Sequence, residues 1–163
     1  MGKIVIGIDE SYKRCGITIM ESNKILKTIS IDYLGCNNNT QKRQLLRIKL
    51  SKIIGHYTDR LEDITVITER IRLRSQGFLS EAYIKATGAL VSVIIDTFSP
   101  FNIPVYSVDV RSWKSQIVGT SKPKENKYGI DPHKRPTILY LKQKGLLKHI
   151  AYPYKGKSTK GVI

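Results

Sequence analysis

Three segments of alternating apolar and polar residues fill the first 33 positions, separated only by short polar turns, and this constrains the fold more than anything later in the chain. Lys3 to Ile8 alternates and is β-branched, which predicts a strand ending in the polar turn Asp9-Glu10-Ser11. Cys15 to Glu21 (CGITIME) predicts a second strand, hairpin-paired to the first, and Lys24 to Tyr33 (KILKTISIDY) a third. Connections this short join antiparallel neighbours, because a parallel crossover needs a dozen residues or more.

The pattern then changes period. Gly35 to Asn39 is a turn-rich connection with Thr40 as a candidate N-cap. From Gln41 to Tyr57, Leu45, Leu46, Ile48, Ile53 and Ile54 fall at helical spacing with basic residues between them. Ile64 to Thr68 (ITVIT) is a continuous apolar run of the kind found in buried central strands. Ser80 to Phe98 predicts a long helix with small residues at Ala86, Gly88 and Ala89, broken by Pro100 to Pro104. Val105 to Val108 predicts a fifth strand, and Asp109 a cap for a helix through Ile117. Gly119 to Gly129 is polar, basic and loop-like. Pro132 to Lys148 has a helical pattern that tolerates Pro136 only in its first turn. Three antiparallel strands followed by helix, strand, helix, strand, helix describe an α/β domain: a mixed five-stranded sheet covered by helices.

Charge narrows the partner. Lys and Arg number 28 against 13 Asp and Glu, a net +15. From Pro100 onward there are 13 basic residues, and the acids are Asp109, Glu125 and Asp131. A surplus of this size repels itself and is relieved by a polyanion, so nucleic acid is the leading partner class. Cys15 and Cys36 lack metal-ligand spacing and are expected to be small buried groups in a reducing compartment. No apolar run reaches the roughly 18 residues of a membrane span. The expected location is the cytoplasm, without a membrane partner. Tyr106 and Trp113 are expected in the core or in helix packing, while Tyr152 and Tyr154 lie in a basic tail.

Asp9 closes the first strand, and Glu69 follows the fourth, 60 residues later. If those strands are neighbours, both carboxylates emerge at one edge of the sheet. Their mutual repulsion is relieved by Mg²⁺, which favours hard oxygen ligands. Each acid also has a simpler role: a turn or cap residue for Asp9, an ion pair with Arg70 or Arg72 for Glu69.

Three segments carry a family resemblance. "IVIGIDESYKRCGITIM", "VITERIRLRSQGFLSEAYIKATGALVSVII" and "YSVDVRSWKSQIVGTSKPKENK" resemble, in order, the metal-binding opening strand, the catalytic Glu with its DNA-contacting loop and long helix, and the basic segment of RuvC-like Holliday junction resolvases. The divergent, lysine-rich sequence suggests a phage-type member, acting in the cytoplasm of a bacterial host. The resemblance implies an RNase H-like fold over residues 1–150 and a homodimeric, Mg²⁺-dependent endonuclease, with Mn²⁺ able to substitute, that resolves four-way and other branched DNA by paired nicks. It implies Asp9 and Glu69 as catalytic, metal-binding carboxylates and Lys114 as a phosphate contact near the scissile bond. Lys122, Lys124 and Lys127 compete for a second basic position, with Lys127 preferred. Arg70, Arg72 and Arg74 stand where relatives place an aromatic that stacks on a junction base; arginines there favour branched structure over base sequence. Each of these basic residues has a plainer reading as a solvated surface charge.

The family completes its site with two acids, or an acid and a His, on a final helix. Nothing of that kind follows Asp131, which with His133 is read as the start of the preceding helix. Residues 151–163 are therefore expected to be a basic tail leading to a closing element beyond the sequence. The rivals are a branched-DNA-binding protein without catalysis, or another RNase H-like protein acting on RNA or as an actin-like phosphotransferase; the chain is too short for the two lobes of the last.

Overall fold

The computed structural model describes residues 2–70, 81–109, 116 and 135–146. Three strands open the chain: β1 (Ile4–Glu10), β2 (Arg14–Glu21) and β3 (Lys24–Asp32). Helix α1 (Asn39–His56) and a 3-10 segment (Thr58–Asp63) lead to β4 (Ile64–Glu69). Helix α2 (Glu81–Phe98) is followed by a 3-10 turn (Ser99–Phe101) and β5 (Val105–Val108).

The strands lie in the order β3-β2-β1-β4-β5. β1 pairs antiparallel with β2 and parallel with β4, and β2 pairs antiparallel with β3, so the sheet is mixed as the sequence pattern predicts. β5 joins beside β4, where the Val66 N–H donates to the Pro104 carbonyl at 2.9 Å. Because β3 runs parallel to β4, α1 is a crossover helix. It begins at the edge where β1 and β3 end and returns the chain to the start of β4.

One face of the sheet carries the core. Ile4, Ile6 and Ile8 alternate inward on β1, Cys15, Ile17 and Ile19 on β2, and Ile64 and Val66 on β4, all with 3 % exposure or less. Leu46, Leu50, Ile53 and Ile54 of α1 and Leu90, Val93, Ile94 and Phe98 of α2 close over that face in one cluster. Each such side chain contributes about 1.5–3 kcal/mol by leaving water.

Several expectations are corrected. Asn38, not Thr40, caps α1: its side chain accepts a hydrogen bond from the Gln41 N–H, whereas Thr40 lies inside the first turn. Ile48 is 53 % exposed, since the buried stripe runs through Leu46 and Leu50 instead. Tyr106 is 58 % exposed and does not belong to the core. Glu81–Phe101 has the length and overall apolarity of a membrane-crossing helix, although Glu81, Lys85 and Asp96 interrupt its apolar run. Its apolarity goes into the protein core, where Ala86, Leu90, Val93, Ile94 and Phe98 are buried.

The chain divides between Ser107 and Val108 into two units. In the second, helix α3 (Arg135–Gln143) has Pro136 in its first turn, as expected. It ends before the expected Lys148. Gly145 takes a positive φ of 67°, its N–H donates to the Lys142 carbonyl, and the Leu146 N–H donates to the Leu141 carbonyl. This paired closure terminates a helix and favours glycine at the left-handed position.

Candidate functional site

The parallel register brings the two predicted carboxylates together. β1 and β4 pair from Ile4 opposite Ile64 to Ile8 opposite Thr68, so the next step sets Asp9 beside Glu69. Neighbouring strands lie about 4.8 Å apart. Side chains alternate between faces, and the core takes Ile4, Ile6 and Ile8 with Ile64, Val66 and Thr68. Asp9 and Glu69 therefore project from the opposite face, and both are exposed. On β2 the residue opposite Asp9 is Gly16, which places no side chain against it. A Cβ there would stand 4.0 Å from that of Asp9.

Glu10 behaves differently from its neighbour, and the sequence reading placed it in a turn. β1 continues through Glu10, so its side chain falls on the core face, opposite Cys15. The Tyr33 hydroxyl lies 3.3 Å from both carboxylate oxygens and donates to them. Burial pushes the Glu10 carboxyl up to about 7, against hydrogen bonds from Cys15 and Tyr33 that lower it, with a smaller upward push from Asp9. Burial, with Glu10 adjacent, also raises the Cys15 thiol and the Tyr33 hydroxyl above their usual ranges. Consecutive carboxylates thus serve opposite sides of the sheet.

The turn after Glu10 is held in place. The Ser11 hydroxyl donates to the Arg14 carbonyl at 2.8 Å. Lys42, buried in the first turn of α1, donates to the Tyr12 carbonyl at 3.1 Å, and its ammonium stands 3.3 Å from the centre of the Tyr12 ring. A lysine within 6 Å of an aromatic face gains cation–π attraction, and more when shielded from water. Tyr12 also meets Tyr83 at the start of α2, with ring centroids 6.3 Å apart. The sequence shows Lys42 only as one basic residue of several; its burial depends on a turn 30 residues earlier.

Arg70 is exposed immediately after β4, at the same edge as Asp9 and Glu69. Arg72, Arg74, Lys114, Lys122, Lys124 and Lys127 lie outside the described residues, as do Trp113, Asp131, His133, Tyr152 and Tyr154. Among the described residues no group of three or more His, Cys, Asp or Glu side chains converges on one point. Two exposed carboxylates on one face nevertheless fit Mg²⁺, which takes one or two protein carboxylates and fills its remaining positions with water and substrate phosphate.

No family model and no curated protein matches the sequence. Among solved structures, the chain is similar to Thermus thermophilus RuvC, with 14 % identity, a TM-score of 0.61, and coverage of 94 % of this chain and 86 % of that one. It is also similar to T. thermophilus RuvC in complex with Holliday junction substrate, with 12 % identity, a TM-score of 0.57, and coverage of 88 % and 97 %. At such identities the likeness is one of architecture: this chain has the RNase H-like fold seen in the RuvC structures.

Proposed function

We propose that the protein is a Mg²⁺-dependent, structure-selective endonuclease that resolves four-way DNA junctions by paired nicking, working in the cytoplasm as a homodimer. The observation that carries this reading is the register that sets Asp9 beside Glu69 on one exposed face of an RNase H-like sheet. The +15 charge and the likeness to a RuvC structure bound to a Holliday junction favour branched DNA as the substrate.

Asp9 and Glu69 would hold the metal. Bound there, Mg²⁺, or Mn²⁺ in its place, would supply an activated water and stabilise the leaving oxygen of a phosphodiester. Gly16 leaves room beside Asp9 for a phosphate to approach, and Arg70 meets the backbone at the same edge. Lys114, Lys127 and the neighbouring Lys122 and Lys124, together with Arg72 and Arg74, would grip the strands around the scissile bond. Two nicks on opposed strands need two sites, which a symmetric dimer provides. On α2 the strip Ile84, Gly88, Val91, Ser92 and Ile95 lies outside the buried stripe, and Ile95 is 46 % exposed, which suits a face for a second copy.

The test is incubation with labelled four-way junction, linear duplex and RNA, with and without Mg²⁺, scoring binding and nicking together. Paired, Mg²⁺-dependent nicks in the junction are expected. Junction binding without nicks would instead indicate a non-catalytic binder, and preference for RNA a different nuclease of this fold. Equal treatment of junction and duplex would defeat the proposal.

A further inference from the structure

We propose that α1 is a second DNA-binding surface, which holds a duplex arm through its phosphates at a distance from the Asp9–Glu69 edge. The inference rests on nucleic acid being the partner, as proposed above, but not on cleavage. Its first basis is charge. α1 spans 18 residues without one Asp or Glu, and Arg43, Arg47, Lys49 and Lys52 are all exposed on it. Several basic side chains elsewhere find carboxylates, Arg14 with Asp32 at 3.1 Å, Arg60 with Glu21 at 2.7 Å and Lys85 with Glu81 at 2.6 Å, while others, such as Lys13, Lys24 and Lys27, do not among the described residues. The four on α1 make no ion pair among the described residues.

Such a helix is arranged against its own stability. Arg43 and Arg47 stand four residues apart, where like charges repel and a Glu–Lys pair would attract. Lys42 closes the first turn and Arg43 follows it, near the end where the helix dipole already presents positive charge and where no acid offsets it. A polyanion along the helix relieves both effects. The uncharged middle of the exposed face, Gln44, Ile48, Ser51 and Gly55, separates the arginines on one flank from the lysines on the other. Basic groups on both flanks can therefore reach phosphates without a carboxylate opposing them.

Position supplies the second basis. α1 begins at the edge where β1 ends, as the bond from Lys42 to the Tyr12 carbonyl shows, and runs away from it along the sheet. From Arg43 to Lys52 the helix rises about 13 Å at 1.5 Å per residue. Duplex DNA presents one charge per roughly 1.7 Å of axis, or about eight over that length. Asp9 and Glu69 project from the other side of the sheet, so an arm reaching α1 is one that leaves their edge and passes round the end of β1 to the helix's outer surface.

The experiment compares the full chain with the fourfold variant Arg43→Ala, Arg47→Ala, Lys49→Ala, Lys52→Ala and with a charge-keeping variant, Arg43→Lys, Arg47→Lys. Affinity for a four-way junction and for a linear duplex is measured by fluorescence anisotropy between about 50 and 200 mM salt. Circular dichroism checks the fold. Each lost phosphate contact lowers the slope of log K against log salt by about 0.9, so the fourfold variant is expected to lose roughly 3 to 4 units on both substrates. The charge-keeping variant keeps the slope. An unchanged slope in the fourfold variant overturns the inference while leaving the nuclease reading intact. A lowered slope in a protein that never nicks keeps the inference and removes the nuclease. Loss of binding to phosphatidylserine vesicles with an unchanged DNA slope would also overturn it, in favour of a membrane surface.

Discussion

The two ends of the same sheet are built for different purposes. At the end where β1 begins, charge is closed on itself: Arg60 reaches Glu21 at 2.7 Å, Asp63 at 3.4 Å and the Gly2 carbonyl at 2.6 Å, while Lys3 reaches Asp63 at 3.3 Å. Lys3 and Arg60 hold the Asp63 carboxyl below its usual range. At the end where β1 finishes, Asp9 stands beside Glu69 and makes no ion pair among the described residues. Like charges placed together at a sheet edge cost stability, a cost that a cation held between them would relieve. One end fastens the strands through its ion pairs, and the other carries Asp9 exposed beside Glu69, next to the Arg14–Asp32 pair of the neighbouring strands.

Three predictions probe that division, from the largest effect to the smallest. Glu10 sits behind the acidic end, with its pKa raised from 4.5 to about 7. Between those values the folded state holds a proton that the unfolded state has released, so stability falls as pH rises through this window and levels off above about 7. The loss should be on the order of 3 kcal/mol in urea unfolding without metal, and Glu10→Gln should flatten the curve. If the variant keeps the full slope, Glu10 is not the buried acid behind Asp9.

Next, Gly16→Val puts a branched side chain opposite Asp9. Junction nicking should fall roughly 10- to 100-fold through misplacement of the substrate, with little change in melting temperature. An unaffected rate would mean that the space beside Asp9 is not used. Smallest is Arg60→Ala at the fastening end. It should lower the melting temperature by a few degrees and leave the rate per folded molecule unchanged. Lost activity in a folded Arg60→Ala protein would erase the distinction between the ends.

Much of this was legible in the sequence, for physical reasons that differ by element. The strands and the two long helices announce themselves through period, since burial of one face dictates which positions are apolar. The pairing of Asp9 with Glu69 follows once β1 and β4 are neighbours, because register transmits position along a strand. Glu10 was not legible: a polar residue after an alternating run reads as a turn, and its partner Tyr33 lies 23 residues on. The Asn38 cap was missed because Thr40 is also a favoured capping residue and backbone geometry decides between them. Tyr106 was misplaced because an aromatic in a short strand is buried only if that side of the strand is covered. The basic character of α1 was visible from the start, but its lack of carboxylate partners is a three-dimensional fact.

The central claim is that Asp9 and Glu69 act as one metal-binding pair. It is tested most directly by single-turnover cleavage of a four-way junction in Mg²⁺, comparing the unmutated chain with Asp9→Asn and Glu69→Gln, with junction affinity measured in Ca²⁺. The account predicts that both variants bind the junction as the unmutated chain does, and that each loses cleavage by on the order of a thousandfold, equivalent to about 4 kcal/mol. Cleavage at the unmutated rate by either variant would contradict it.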